Sequence, residues 1–254
     1  MRSVMIKCAL SAVAVLTAMA ARPAAATELL VNGGFETGDF TGWYEVDETG
    51  AGGSWFVNNS TSSPVSGFTT PGPASGNFYA LTDQGNPSAN VLLQPFTISA
   101  GAGTVTLSYD FFSNNQNNGA SPVAPAGAYC PGPLDFAVSV ENQCDRVDIM
   151  SGSITDPFDT GSGVVENLYE DAPVAPTDGT SNPWTLETFD LSNLAPGNYY
   201  LRFGQVDNAY YNQMGIDNVS ITTSNAVPEP GSLALLASGL AGFCLLRRRK
   251  HKAT

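Results

Sequence analysis

Between residues 27 and 225 this 254-residue chain has no lysine and no histidine, and its one histidine, His251, lies in a basic tail. That stretch therefore has no imidazole for a proton relay, no histidine ligand for zinc and no amine for a Schiff base. Arginine is nearly as scarce. Arg146 and Arg202 stand against 22 of the 23 Asp and Glu residues, a formal balance of −20. Without a basic surface to meet phosphates, nucleic acid is excluded as a partner. No P-loop, dinucleotide fingerprint or EF-hand spacing occurs, and no long segment of the body has helical periodicity.

The other eight bases sit at the two ends. Arg2 and Lys7 precede an apolar stretch at residues 8–20, and Ala24, Ala25 and Ala26 follow it. This is the order of a secretory signal, with cleavage expected after Ala26. At the other end Pro228, Glu229 and Pro230 precede a 16-residue apolar run, 231–246, and then Arg247, Arg248, Arg249 and Lys250. The run is shorter than the roughly 20 residues that a helix needs to span hydrocarbon, though local thinning of the bilayer accommodates it. The basic cluster should stay cytoplasmic, which leaves the body outside the inner membrane.

Pro228-Glu229-Pro230, the glycine-containing apolar run with Gly239 and Gly242, and Arg247–Arg249 resemble the PEP-CTERM sorting signal of Gram-negative bacteria. The resemblance covers residues 226–254. It implies processing by an exosortase-type membrane enzyme and association with extracellular polysaccharide systems. The expected route is export, transient anchoring in the inner membrane with the C-terminus cytoplasmic, then the cell surface or extracellular matrix. An ordinary C-terminal anchor obeys the same physics.

Residues 27–225 read as one all-β domain. Apolar alternation marks 104–112 most clearly, with Val105, Leu107, Tyr109 and Phe111 on one side, and it recurs at Tyr199, Leu201 and Phe203. Further strands are expected at 54–57, 77–81, 91–98, 134–140, 184–191 and 216–222. One-faced alternation across many short strands indicates two antiparallel sheets packed face to face, a β-sandwich of jelly-roll type. Residues 113–133 and 171–183, rich in Pro, Gly, Ala and Asn, are expected to be long loops.

The two ends of this body, LLVNGGFETGDFTGW at 29–43 and GIDNVSI at 215–221, resemble galactose-binding-like jelly rolls, including carbohydrate-binding modules. That resemblance implies a structural calcium where the first and last strands meet. Its ligands would be Glu36 and Asp217, with Asn32 and the carbonyl of Gly34 beside them; the hard oxygens suit calcium. The alternative is two exposed acids. Ile216 is three residues from Val219, so a bulge is expected at Asp217–Asn218, re-aiming Asp217.

Cys130 and Cys144 remain once both ends are removed, and in an oxidising compartment a disulfide between them is expected. Tyr210 and Tyr211, with Asp207, Asn208 and Asn212, form a candidate glycan platform, since adjacent strand residues point to opposite faces. Most other aromatics are expected in the core. A glycoside hydrolase needs only two carboxylates, but no pair is distinctive. Three readings stand side by side: a non-catalytic glycan-binding sandwich, a ligand-free matrix protein, or a carboxylate-based enzyme acting on polysaccharide.

Overall fold

Alternating side chains pair into strands wherever turn residues let the chain reverse. The computed structural model describes residues 26–115, 133–171, 176, 180–209 and 211–225. Among the described residues eleven strands occur in order: β1 (Ala26–Glu28), β2 (Tyr44–Asp47), β3 (Gly53–Asn58), β4 (Tyr79–Gln84), β5 (Ser88–Ile98), β6 (Ala102–Asn115), β7 (Gln143–Ser151), β8 (Val164–Asp171), β9 (Thr185–Asp190), β10 (Gly197–Asp207) and β11 (Asn212–Asn225). The described residues form no helix.

One sheet has the order β3-β4-β11-β6-β9, with β1 on β11; the other runs β2-β5-β10-β7-β8. Thr27–Thr223 form one compact unit. The second unit, 1–26 with 224–254, has only Ala26, Ser224 and Asn225 among the described residues. Residues 1–25 of the signal segment, the sorting tail, Cys130 and Tyr210 thus lie outside them.

Between the sheets, Val105, Leu107, Tyr109 and Phe111 of β6 meet Leu201 and Phe203 of β10 and Val147 and Ile149 of β7, with Trp43, Trp55 and Phe35 closing the layer. The expected inward faces of β6 and β10 are those observed. Asn218 adopts a left-handed φ of 50°, which lets Ile216 and Val219, three residues apart, enter the same core. The break in alternation is therefore real.

Two expectations are corrected, and a strand that the sequence did not mark is added. Residues 134–140 form turns and bends rather than a strand. Leu134 plugs the outer face of β10 over Gly204, where a Cβ would sit 2.6 Å from its Cδ1. The second sheet is not one-faced either: Leu134 with half-buried Phe136, Ile154 and Phe158 covers its outside, so β5 and β7 are buried on both faces. Finally, β7 has little visible alternation because its outer face carries Arg146 and Asp148, an internal ion pair.

That pair extends to Arg202. Arg146 and Arg202, the only two cations of the body, both bind Asp148, Arg146 Nη2 at 2.9 Å and Arg202 Nη2 at 2.5 Å. Arg202 also donates to the carbonyls of Pro157 and Asp159, pinning the loop that precedes β8.

Candidate functional site

Asn32 and Phe35 take left-handed φ values of 52° and 56°, so the N-G-G-F-E segment coils tightly and drives Phe35 into the core against Trp43. Asn32 is consumed by this coil: its Nδ2 donates to the Asp39 carbonyl, and its Oδ1 accepts the Thr37 N–H. Gly33 lies against β11, where its carbonyl accepts the Val219 N–H at 2.9 Å. The first motif thereby meets the last strand. Gly34 sits between Glu36 and Asp217, where an added Cβ would lie 3.8 Å from atoms of each.

These residues come together as expected, but their oxygens face hydrogen-bond donors. Glu36 Oε1 accepts the N–H groups of Asn77 and Phe78 at 2.9 and 3.0 Å, and its Oε2 accepts Asn77 Nδ2. Asp217 Oδ2 accepts the N–H groups of Ala74 and Ser75, and Oδ1 accepts that of Asn218 at 2.7 Å. A calcium ion needs lone pairs directed at it, whereas here five backbone amides are bonded to the carboxylate oxygens. The arrangement does not fit calcium. Nor does any group of three or more His, Cys, Asp or Glu side chains among the described residues suit a metal. The two acids instead clamp the 74–78 segment, and the main-chain bonds hold the Glu36 carboxyl below its usual range.

Asp217 is fully buried, and burial pushes it up to about 6 against the opposing pull of its amide bonds. An unfolded aspartate titrates near ~3.9, so between there and about 6 the folded chain holds the extra proton. Asp217 therefore costs stability progressively as pH rises through that window, while Glu36, shifted down, contributes stability above its unfolded value that is lost on acidification. Urea unfolding of wild type and Asp217→Asn from pH 4 to 7 separates them (approximately that window). The wild type should lose stability relative to the variant as pH rises; parallel curves would refute this.

At one end of the sandwich the inter-sheet layer turns polar. On β10, Gln205 and Asp207 continue the face of Leu201 and Phe203, and they pair in register with Asp145 and Gln143 of β7. Asp207 is fully buried and its oxygens are taken up by donors: Gln143 Nε2 and the Ala209 N–H on Oδ1, Gln84 Nε2 and the Asn212 N–H on Oδ2. Asp145, also 0% exposed, accepts from Ser113 Oγ and Asn212 Nδ2. Burial raises both carboxyls, Asp145 to about 7 and Asp207 to about 6. Sequence reading missed this layer, though its signal was present as polar residues continuing an apolar period-two run.

The candidate glycan platform is corrected accordingly. Asp207 and Asn212 are sealed inside, and Asn208 holds residues 138–142 by donating to the Val138 and Val140 carbonyls and accepting the Asn142 N–H. Tyr211 remains, half-buried, its ring edge-on to half-buried Phe68 at 5.2 Å.

The segment after β11 decides the sorting question, because residues 226–250 match the PEP-CTERM protein-sorting motif. The chain carries that sorting signal. None of the curated proteins matches the chain. Among solved structures, the module TmCBM61 in complex with beta-1,4-galactotriose is similar at 11% identity, over 77% of this chain and 97% of that one, with a TM-score of 0.46. The K3 adhesin domain of Lys-gingipain from Porphyromonas gingivalis is 18% identical over 78% and 99%, with a TM-score of 0.47. A Stig cyclase from Fischerella sp. TAU is 16% identical over 80% and 100%, with a TM-score of 0.44. A sugar-binding module, an adhesin domain and a cyclase share this likeness, so it singles out no activity.

Proposed function

We propose that this is an exported, exosortase-processed surface or matrix protein whose sandwich is non-catalytic and meets extracellular polysaccharide. The carrying observation is the sorting motif beginning at residue 226, immediately after β11 ends at Asn225. The β-sandwich is what the route delivers, and the apolar run and basic end are what it discards. Asp145, Asp207 and Asp217, the carboxyls pushed up furthest, are sealed inside, out of reach of a polysaccharide. For sugar contact, the Tyr211–Phe68 pair offers aromatic surface.

Expression of the full chain with and without an exosortase-type enzyme tests the route. Intact mass should show the tail removed only when the enzyme is present, and a retained tail would reject processing. The same masses with and without reductant read the Cys130–Cys144 bond, which the disulfide state of Cys144 supports. Affinity electrophoresis in the producer's own polysaccharide should retard the protein, and Tyr211→Ala should abolish the retardation. Unretarded wild type would leave a ligand-free matrix protein, and release of reducing sugar would establish an enzyme.

A further inference from the structure

We infer that the polar end of the inter-sheet space is a cation site, in which Asp145, Gln205 and Asn212, with Asp171 beside them, hold a hard divalent ion of the calcium class through oxygen. Asp145 and Asp171 are register partners on β7 and β8, and Gln205 is the register partner of Asp145 on β10. Asn212 reaches the cluster from the opposite sheet, its Nδ2 2.7 Å from Asp145 Oδ1. Gln205 and Asn212 are 0% exposed, and Gln205 Oε1 and Asn212 Oδ1 have no hydrogen-bond partner. The oxygen of a buried amide left without a donor carries its full desolvation penalty, and here two of them adjoin a buried carboxylate.

The contrast with the neighbouring acids is chemical. Asp207 is enclosed by four donors and Asp217 by three, so each already has the environment of a hydrogen-bonded anion. Asp145 has two donors, both on side chains that can turn, the Ser113 hydroxyl and the Asn212 amide, and the charges beside it are those of Asp207 and Asp171. No arginine compensates it, because Arg146 and Arg202 point to the other face of the sheet, on Asp148. Water would satisfy the amide oxygens but bring no positive charge. A calcium ion does both, since it takes 6–8 hard oxygens, mixes carboxylates with amide carbonyls and keeps waters in its shell (approximate coordination range). The amides supply what a third carboxylate would otherwise provide.

The test uses the purified full-length protein, stripped with chelator and then titrated with Ca2+, with thermal unfolding and Tb3+ luminescence excited through tyrosine as readouts. Tyr169, two residues before Asp171 on β8, is the expected sensitiser. Ca2+ should raise the melting temperature and displace Tb3+. Asp145→Asn should abolish both responses, while Glu36→Gln and Asp217→Asn should keep them. Should Asp145→Asn fail to fold, Gln205→Met decides the matter with the carboxylate intact, weakening Ca2+ binding by about tenfold or more. An absent Ca2+ response in the wild type overturns the site. So does a response that survives both Asp145→Asn and Gln205→Met, or one that is lost in Asp217→Asn instead.

Discussion

Asp148→Asn should destabilise the sandwich by about 3–5 kcal/mol, the range for breaking a buried ion pair from one side. The substitution keeps the shape and removes only the charge. Asp148 Oδ1 accepts Arg146 Nη2 and Asn167 Nδ2, and Oδ2 accepts Arg202 Nη2 and Nε. Whichever way the new amide turns, its NH2 faces donors, and two guanidinium groups with side chains 7% and 0% exposed lose their common counter-ion. Arg146 keeps Glu170, but Arg202 keeps only the carbonyls of Pro157 and Asp159. For a domain of this size the melting temperature should fall by on the order of 10 °C. Urea unfolding checks it, and a loss under about 1 kcal/mol, the scale of an exposed pair, would mean the triad is not sealed from water.

The adjacent glycines of the first motif should respond in opposite ways. At Gly33 a Cβ would lie 1.8 Å from the Val219 carbonyl oxygen and 2.8 Å from its carbon, both main chain. No rotamer relieves that contact. Gly33→Ala must push the coil off β11, straining the Val219–Gly33 bond and drawing Phe35 from the core. A loss at the upper end of the ~1–3 kcal/mol range for overpacking, or beyond it, is expected because the obstacle is backbone. At Gly34 the nearest atoms are at 3.8 Å, an ordinary contact, so Gly34→Ala should change stability by less than about 0.5 kcal/mol. Equal effects at the two positions would mean that close approach to β11 is not what requires glycine at Gly33.

Much of the sandwich was legible in single strands. The inward set of β6 and the break in phase near Asp217 could be read directly, because a half-buried strand imposes period two and a left-handed Asn218 interrupts it. The strand expected at 134–140 failed for a related reason. An apolar residue that caps the outside of a sheet looks the same, in one dimension, as one that faces a core. β7 was missed because its outer charges are neutralised by partners 2 and 54 residues away, Arg146 and Arg202 on Asp148. The site residues divide in the same manner. Glu36, Gly34 and Asp217 were rightly brought together, but whether their neighbours would offer N–H groups or carbonyls depended on how the 74–78 segment turned.

The sequence by itself carried the sorting motif and bounded the chemistry. That motif and the absence of lysine and histidine from the body are properties of composition and order, and folding does not alter them. It also determined that the body would be a sandwich, since alternation between turn residues is local. Tertiary structure alone decided which donors each acid meets. Glu36 and Asp217 met backbone amides and became a clamp, whereas Asp145 met the side chains of Ser113 and Asn212 in a layer where the amide oxygens of Gln205 and Asn212 have no donor. The reason is geometric: the direction of a hydrogen-bonding group is set by the backbone that carries it, and sheet register brings together residues 60 positions apart, as at Asp145 and Gln205.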